Sequence, residues 1–149
     1  MRLSRHNSLN MTLQLYNTTR QEIPEELLRR AVLLVLEKEG FSVESVSGIY
    51  CGNRMIRRIN REFLQHDYAT DTITFRYNHG REIDGEFYIS LDVVRENAGR
   101  FNVDFQQEVL RVTVHSALHL AGIDDRTDTE RHDMQEKEAF YLDLLQRDI

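Results

Sequence analysis

Apolar positions recur along this chain with two periods, and the switches between them mark out the elements. Residues 11–17 alternate, with Met11, Leu13 and Leu15 on one side, which predicts a strand. Pro24 stands at the first position of a helical pattern over 24–39, with Glu25 and Glu26 in its first turn and Gly40 ending it. Val32 to Leu36 make that helix apolar enough to be a central one. A weaker strand is predicted over 43–50. Asn53 is expected to cap a helix over 54–64 that buries Met55, Ile56, Ile59 and Phe63.

Residues 72–77 and 86–91 alternate again, with Ile73, Phe75 and Tyr77 on one side of the first and Phe87, Ile89 and Leu91 on one side of the second. Asn78, Gly80 and Gly85 lie between, so the two are expected to pair as a hairpin with a long loop. A short helix over 92–100 follows. Asp104 opens the next helix, with Gln107 three residues on in a capping-box arrangement; it runs to Ala121 and Gly122 ends it. The last helix starts near Thr127, with Glu130 three residues later, and carries Met134, Phe140, Tyr141, Leu144 and Leu145. Strands and helices mix without strict βαβ alternation. The expected class is therefore α+β, one domain over 1–149 with a small mixed sheet packed by helices.

Composition narrows the function classes. With 149 residues, 40% hydrophobic and 30% charged, the chain has the balance of one soluble globular domain. A single cysteine, Cys51, excludes a disulfide-stapled secreted scaffold. No apolar run approaches the roughly 18–20 residues a membrane span needs, so no membrane partner is expected. Met1 to Asn10 carries Arg2, Arg5 and His6 with no apolar core behind them, unlike a signal peptide, and a cytoplasmic location is expected. The net charge of −6 is unevenly spread: residues 1–62 hold 10 basic and 7 acidic side chains, and the rest hold 9 and 18. The basic half keeps nucleic acid among the admissible partners.

The chemistry concentrates in residues 114–125, VHSALHLAGIDD. His115 and His119 are four apart on the predicted helix, so their rings leave one face a turn apart and can converge on one metal ion. Gly122 stops the helix and turns the chain back, with Asp124 and Asp125 following. The segment reads H-x-x-x-H-x-x-G-x-x-D, the spacing of the long zinc-protease signature with Asp125 in the third slot. Asp124 follows Gly122 too closely to point back at the rings, and His132 belongs to the next helix, so Asp125 is the expected third ligand. Three protein ligands leave a fourth position open, the arrangement of a catalytic zinc site, with one zinc ion per chain. In zinc proteases the residue after the first His is a Glu acting as general base; here it is Ser116, so ordinary peptidase activity is not expected.

This segment resembles the signature of the YbeY family of bacterial rRNA-maturation endoribonucleases, H-G-x-L-H-L-x-G-x-D-H, sharing Leu118, Leu120, Gly122 and Asp124 besides the two His. Upstream, Ile59-Asn60, Thr70 to Phe75 and Gly85 to Ser90 are similar to the family's L-N, T-D-V-L-S-F and G-D-I-x-I-S blocks. Glu108, Glu130, Met134 and Glu138 keep its spacing, so the likeness covers about residues 55–140. Three positions depart: Asp125 replaces the third His ligand, Ser116 replaces a Gly, and Leu64 stands where some members carry an Arg linked to RNA cleavage.

The resemblance implies a zincin-like, single-strand-specific, metal-dependent endoribonuclease acting in 16S rRNA 3′-end maturation and ribosome quality control. Its implied partners are rRNA and the ribosomal small subunit, not DNA. Arg54, Arg57, Arg58 and Arg61 fall at i, i+3, i+4 and i+7, a basic ridge that suits RNA phosphates and equally suits a solvated helix face. Tyr68 and Tyr77, aromatics of a kind that can stack on bases, are read as core or hairpin residues. No residue is assigned as general acid or base. A ribosome-assembly or RNA-binding factor with a structural metal, and a small-molecule metallohydrolase, fit the same residues.

Overall fold

The computed structural model describes residues 13–64 and 70–147. Met11, Tyr68 and the segment Met1 to Asn10 lie outside the described residues. In order, the elements are β1 (Leu13–Asn17), α1 (Glu25–Lys38), β2 (Ser42–Cys51), α2 (Asn53–Ile59), a π-helical turn (Asn60–Leu64), β3 (Thr72–Arg76), β4 (Glu82–Ser90), α3 (Leu91–Phe101), α4 (Phe105–Leu120) and α5 (Asp128–Arg147). The class is α+β, with a four-stranded mixed sheet. Its order is β1-β2-β4-β3: β1 and β4 run parallel to β2, while β3 pairs antiparallel with β4 and forms one edge.

The strand with the weak sequence signal is central. Serines at 42, 45 and 47 dilute its apolar pattern, yet its C-terminal half is buried on both faces. Val46 and Tyr50 join the main core with Leu28, Val32 and Val35 of α1, Phe87 and Ile89 of β4, and the inward faces of α4 and α5. Ile49 and Cys51 point the other way, into a smaller cluster with Ile56 and Ile59 of α2, Ile73 and Tyr88. The two alternating segments of the hairpin therefore turn their apolar sets to opposite sides: Ile73 and Phe75 toward α2, Phe87 and Ile89 toward the main core. Gly48 is required where β2 crosses between layers, because a Cβ there would lie 2.3 Å from the Phe87 ring. The Tyr50 hydroxyl pairs at 2.8 Å with Thr113, tying β2 to α4. The Cys51 thiol donates to the Ile89 carbonyl, and burial pushes its pKa up to about 12.

Several expected boundaries shift for local reasons. Pro24 is the cap residue of α1 and not its first helical position. Asn53 is the first residue of α2 and not its cap; its backbone N–H donates to Asp92 of α3, and its side-chain oxygen accepts from Ser90. Leu91 belongs to α3 and not to the strand, because the Ser90 side chain accepts the Val93 N–H and caps the helix. Asp104 caps α4 through the N–H groups of Gln106 and Gln107, but the Gln107 side chain pairs with Gln146 and does not complete the box. The reciprocal box forms at α5, where Thr127 accepts from the Glu130 N–H and the Glu130 carboxylate accepts from the Thr127 N–H.

One aromatic expected inside is exposed. The π-helical turn at Asn60–Leu64 adds a residue to the turn and rotates Phe63 out, leaving it 48% exposed. Phe140 is 54% exposed, and the buried line of α5 is Met134, Glu138, Tyr141 and Leu145. No helix among the described residues is long and apolar enough to cross a membrane.

Candidate metal centre

α4 is buried along most of its length, so its outward face is narrow and is fixed by what packs behind it. His115 and His119 occupy that face one turn apart, their rings 4.5 Å between centroids and nearly perpendicular. The helix then ends in a Schellman motif: Gly122 adopts φ +90°, its N–H donates to the His119 carbonyl, and the Ile123 N–H donates to the Leu118 carbonyl. From there the chain has five residues before α5 begins. The Glu130 carboxylate accepts the N–H groups of Arg126 and Thr127, and Arg131 donates to the Arg126 carbonyl. Asp125 is thus suspended between a helix stop and a helix start.

This brings three donor atoms together. His115 Nε2 and His119 Nε2 lie 3.0 Å apart, and Asp125 Oδ2 is 3.4 Å from each. A tetrahedral zinc ion with bonds of about 2.0–2.1 Å separates its ligand atoms by about 3.3–3.4 Å, so the triangle has the size such an ion needs. His115, His119 and Asp125 can hold a metal ion. Their side chains are 17%, 22% and 35% exposed, which leaves one side of the triangle open. Asp124 is exposed, and His132 is exposed and pairs with Glu136, so neither joins the group.

The residue after the first histidine faces elsewhere. Ser116 is fully buried, donates to the Val112 carbonyl and sits 2.7 Å from the Thr72 hydroxyl of β3. It secures α4 to the edge strand and does not line the open side.

Behind the rings stands a set of charges whose role the spacing of the sequence does not disclose. Glu138 of α5 places Oε2 2.5 Å from His115 Nδ1 and Oε1 3.1 Å from an Arg111 nitrogen. Arg111 in turn grips both oxygens of Glu108, at 3.0 and 2.7 Å. Those hydrogen bonds raise the pKa of Arg111 above its ordinary value. The available signal is an acidic residue in line with Met134, Tyr141 and Leu145, where the apolar stripe of α5 calls for a Leu or Met.

The four arginines of the predicted basic ridge are all exposed. With Asn53 they line one open cleft of about 450 Å³. Tyr77 sits beside the hairpin, its hydroxyl donating to the buried Glu86 carboxylate at 2.6 Å and its ring parallel to that of Phe75.

Residues 12–146 match the family model described as Endoribonuclease YbeY. The chain is 69% identical over 132 residues to the Endoribonuclease YbeY of Chlorobium limicola, covering 89% of this chain and 92% of that one. It is 63% identical over 134 residues to the protein of the same description from Chlorobium phaeobacteroides, covering 90% and 94%. The solution structure of TM1509 from Thermotoga maritima superposes with a TM-score of 0.64 at 29% identity, over 89% of this chain and 88% of that one.

Proposed function

The chain belongs to the YbeY family of endoribonucleases, and from that premise we propose a metal-dependent enzyme that cuts single-stranded RNA, acting in the cytoplasm in 16S rRNA 3′-end maturation and ribosome quality control. The observation that supports the metal dependence is the triangle of two imidazole nitrogens and one carboxylate oxygen, sized for zinc and open on one side. In this reading His115, His119 and Asp125 hold one zinc ion per chain. When bound, zinc supplies a Lewis acid for a phosphate oxygen and lowers the pKa of water.

The chain's own residues do the remaining work. Asp125 contributes a negative charge where a third His would be neutral, so the centre carries one less positive charge than a three-histidine site. Arg54, Arg57, Arg58 and Arg61 hold backbone phosphates of rRNA in the small subunit, a contact type that is insensitive to sequence and sensitive to salt. Leu64, 41% exposed, offers no cation where some family members carry an Arg. Ser116, turned into the core, cannot serve as the proton acceptor a peptidase needs.

The test is elemental analysis of the purified protein beside cleavage of a structured rRNA fragment. The expected result is about one zinc per chain, with cleavage lost on chelation and in His115→Ala while RNA binding persists. Full cleavage by metal-stripped protein would overturn the reading. RNA binding without cleavage by the metal-loaded protein would make it an assembly factor, and turnover of a small ester with no action on RNA a small-molecule hydrolase.

A further inference from the structure

The side chains behind the metal centre form one continuous relay, His115–Glu138–Arg111–Glu108. Three of its members, Glu108, Arg111 and His115, lie at i, i+3 and i+7 along α4, and the fourth reaches in from α5. We propose that Glu138 and Arg111 are positioning residues: Arg111, aligned by Glu108, holds the Glu138 carboxylate so that it accepts the Nδ1–H of His115 and leaves Nε2 as a bare donor for a divalent cation. This rests on the metal reading of the triangle but makes a separate claim, about which ring nitrogen carries the proton and what fixes it there.

A neutral imidazole has one N–H, and an ionised carboxylate has no proton to give. At 2.5 Å from Glu138, Nδ1 is therefore the donor, and Nε2, directed at His119 and Asp125, is left with its lone pair. Arg111 donates to the other oxygen of that carboxylate and holds it in place as an acceptor. The guanidinium fork makes this possible: its Nε and one terminal nitrogen are taken by Glu108, which leaves the second terminal nitrogen aimed at Glu138. A lysine could not satisfy both carboxylates in that geometry.

The charge count points the same way. Glu108 and Glu138 have side chains only 6% and 7% exposed, yet one arginine serves both. Helix packing alone would be served as well by an apolar residue at 138, since a buried ion pair seldom stabilises more than the hydrophobic group it replaces. A surplus negative charge behind a ring ligand is what an arriving dication complements, and partners of this kind govern metal affinity.

Glu138→Gln separates the two tautomers. An amide has one acceptor oxygen and here meets two donors, Arg111 and His115 Nδ1–H. With the oxygen turned to Arg111, the NH2 faces Nδ1, which becomes the acceptor, and the proton moves to Nε2, where it blocks the metal position. Two measurements test this: long-range proton–nitrogen NMR of the imidazoles in metal-free protein at neutral pH, and zinc affinity by competition with a chromophoric chelator. The expected result is an Nδ1–H tautomer at His115 in the natural protein and an Nε2–H tautomer in E138Q. Zinc affinity should fall about 10–100-fold in E138Q, and R111K should show a smaller loss with its tautomer retained.

Proton on Nε2 of His115 in the natural protein, or natural zinc affinity in both variants, would overturn the proposal. If E138Q fails to fold, the natural protein's tautomer and the R111K affinity still decide. A natural protein that binds no zinc would sink the metal reading instead, and the tautomer would still report on the relay.

Discussion

Replacing Asp125 by Ala should erase the stabilisation that zinc confers, while Asp124→Ala should leave it intact. Asp125 Oδ2 stands 3.4 Å from both imidazole nitrogens, whereas the exposed Asp124 is outside the triangle. In metal-free protein both changes should be close to neutral, within about ±0.5 kcal/mol, because neither side chain is buried in the core. With zinc at about 100 times its dissociation constant, linkage adds about 2.7 kcal/mol to the folded state. For a domain of this length each kcal/mol moves Tm by about 2–4 °C, so the natural protein should gain about 5–11 °C. Losing one of three ligands should weaken binding by at least about 100-fold, the upper end of what outer-shell changes alone produce. The ratio of zinc to dissociation constant then falls to about 1, and the stabilisation to about 0.4 kcal/mol, or about 1 °C. Thermal unfolding followed by circular dichroism, with zinc or with chelator, reads all three proteins. A full zinc shift in Asp125→Ala, or its loss in Asp124→Ala, would refute the assignment.

If Arg54, Arg57, Arg58 and Arg61 hold phosphates, changing all four to Gln should weaken RNA binding without altering sequence preference. Its log–log salt slope should become shallower by about 0.7 for each phosphate of a single strand that is no longer neutralised. Equal affinity and slope, measured by fluorescence anisotropy over a salt series, would return the cleft to an ordinary solvated face. The natural protein should not hydrolyse casein with or without zinc. Ser116→Glu should not create a peptidase either, since it places a carboxylate in the contact between α4 and β3 and should cost at least about 2 kcal/mol of stability. Zinc-dependent proteolysis by the natural sequence, or a Ser116→Glu protein of unchanged Tm, would contradict this.

How far the sequence discloses this molecule depends on whether a signal is local. The convergence of His115, His119 and Asp125 is legible because a helix period, a glycine and a fixed offset together specify a direction in space. The helix ends at Asp104 and Thr127 are legible for the same reason. Phe63 misleads because one π-helical turn breaks the 3.6 period on which face assignments depend. Asn53 has the chemistry of a cap, but its side-chain oxygen accepts from Ser90 and its own backbone N–H donates to Asp92, 39 residues away, so it stands one position inside the helix. Glu138 stands out in the sequence only by its spacing, because its partner ring belongs to another helix and no spacing rule connects them. The two hairpin segments are each legible as strands, yet alternation within a strand does not say which side of the sheet a set will face.

The short link between α4 and α5 behaves unlike an ordinary surface connection. Such loops accept insertions because their ends are tied to nothing but the elements they join. Here both ends are clamped by helix-terminating hydrogen bonds, with the Asp125 carboxylate strung between them. An added residue would therefore alter the aim of Asp125 and could not simply bulge outward. The length of this link is as much a part of the centre's chemistry as the identity of its donors.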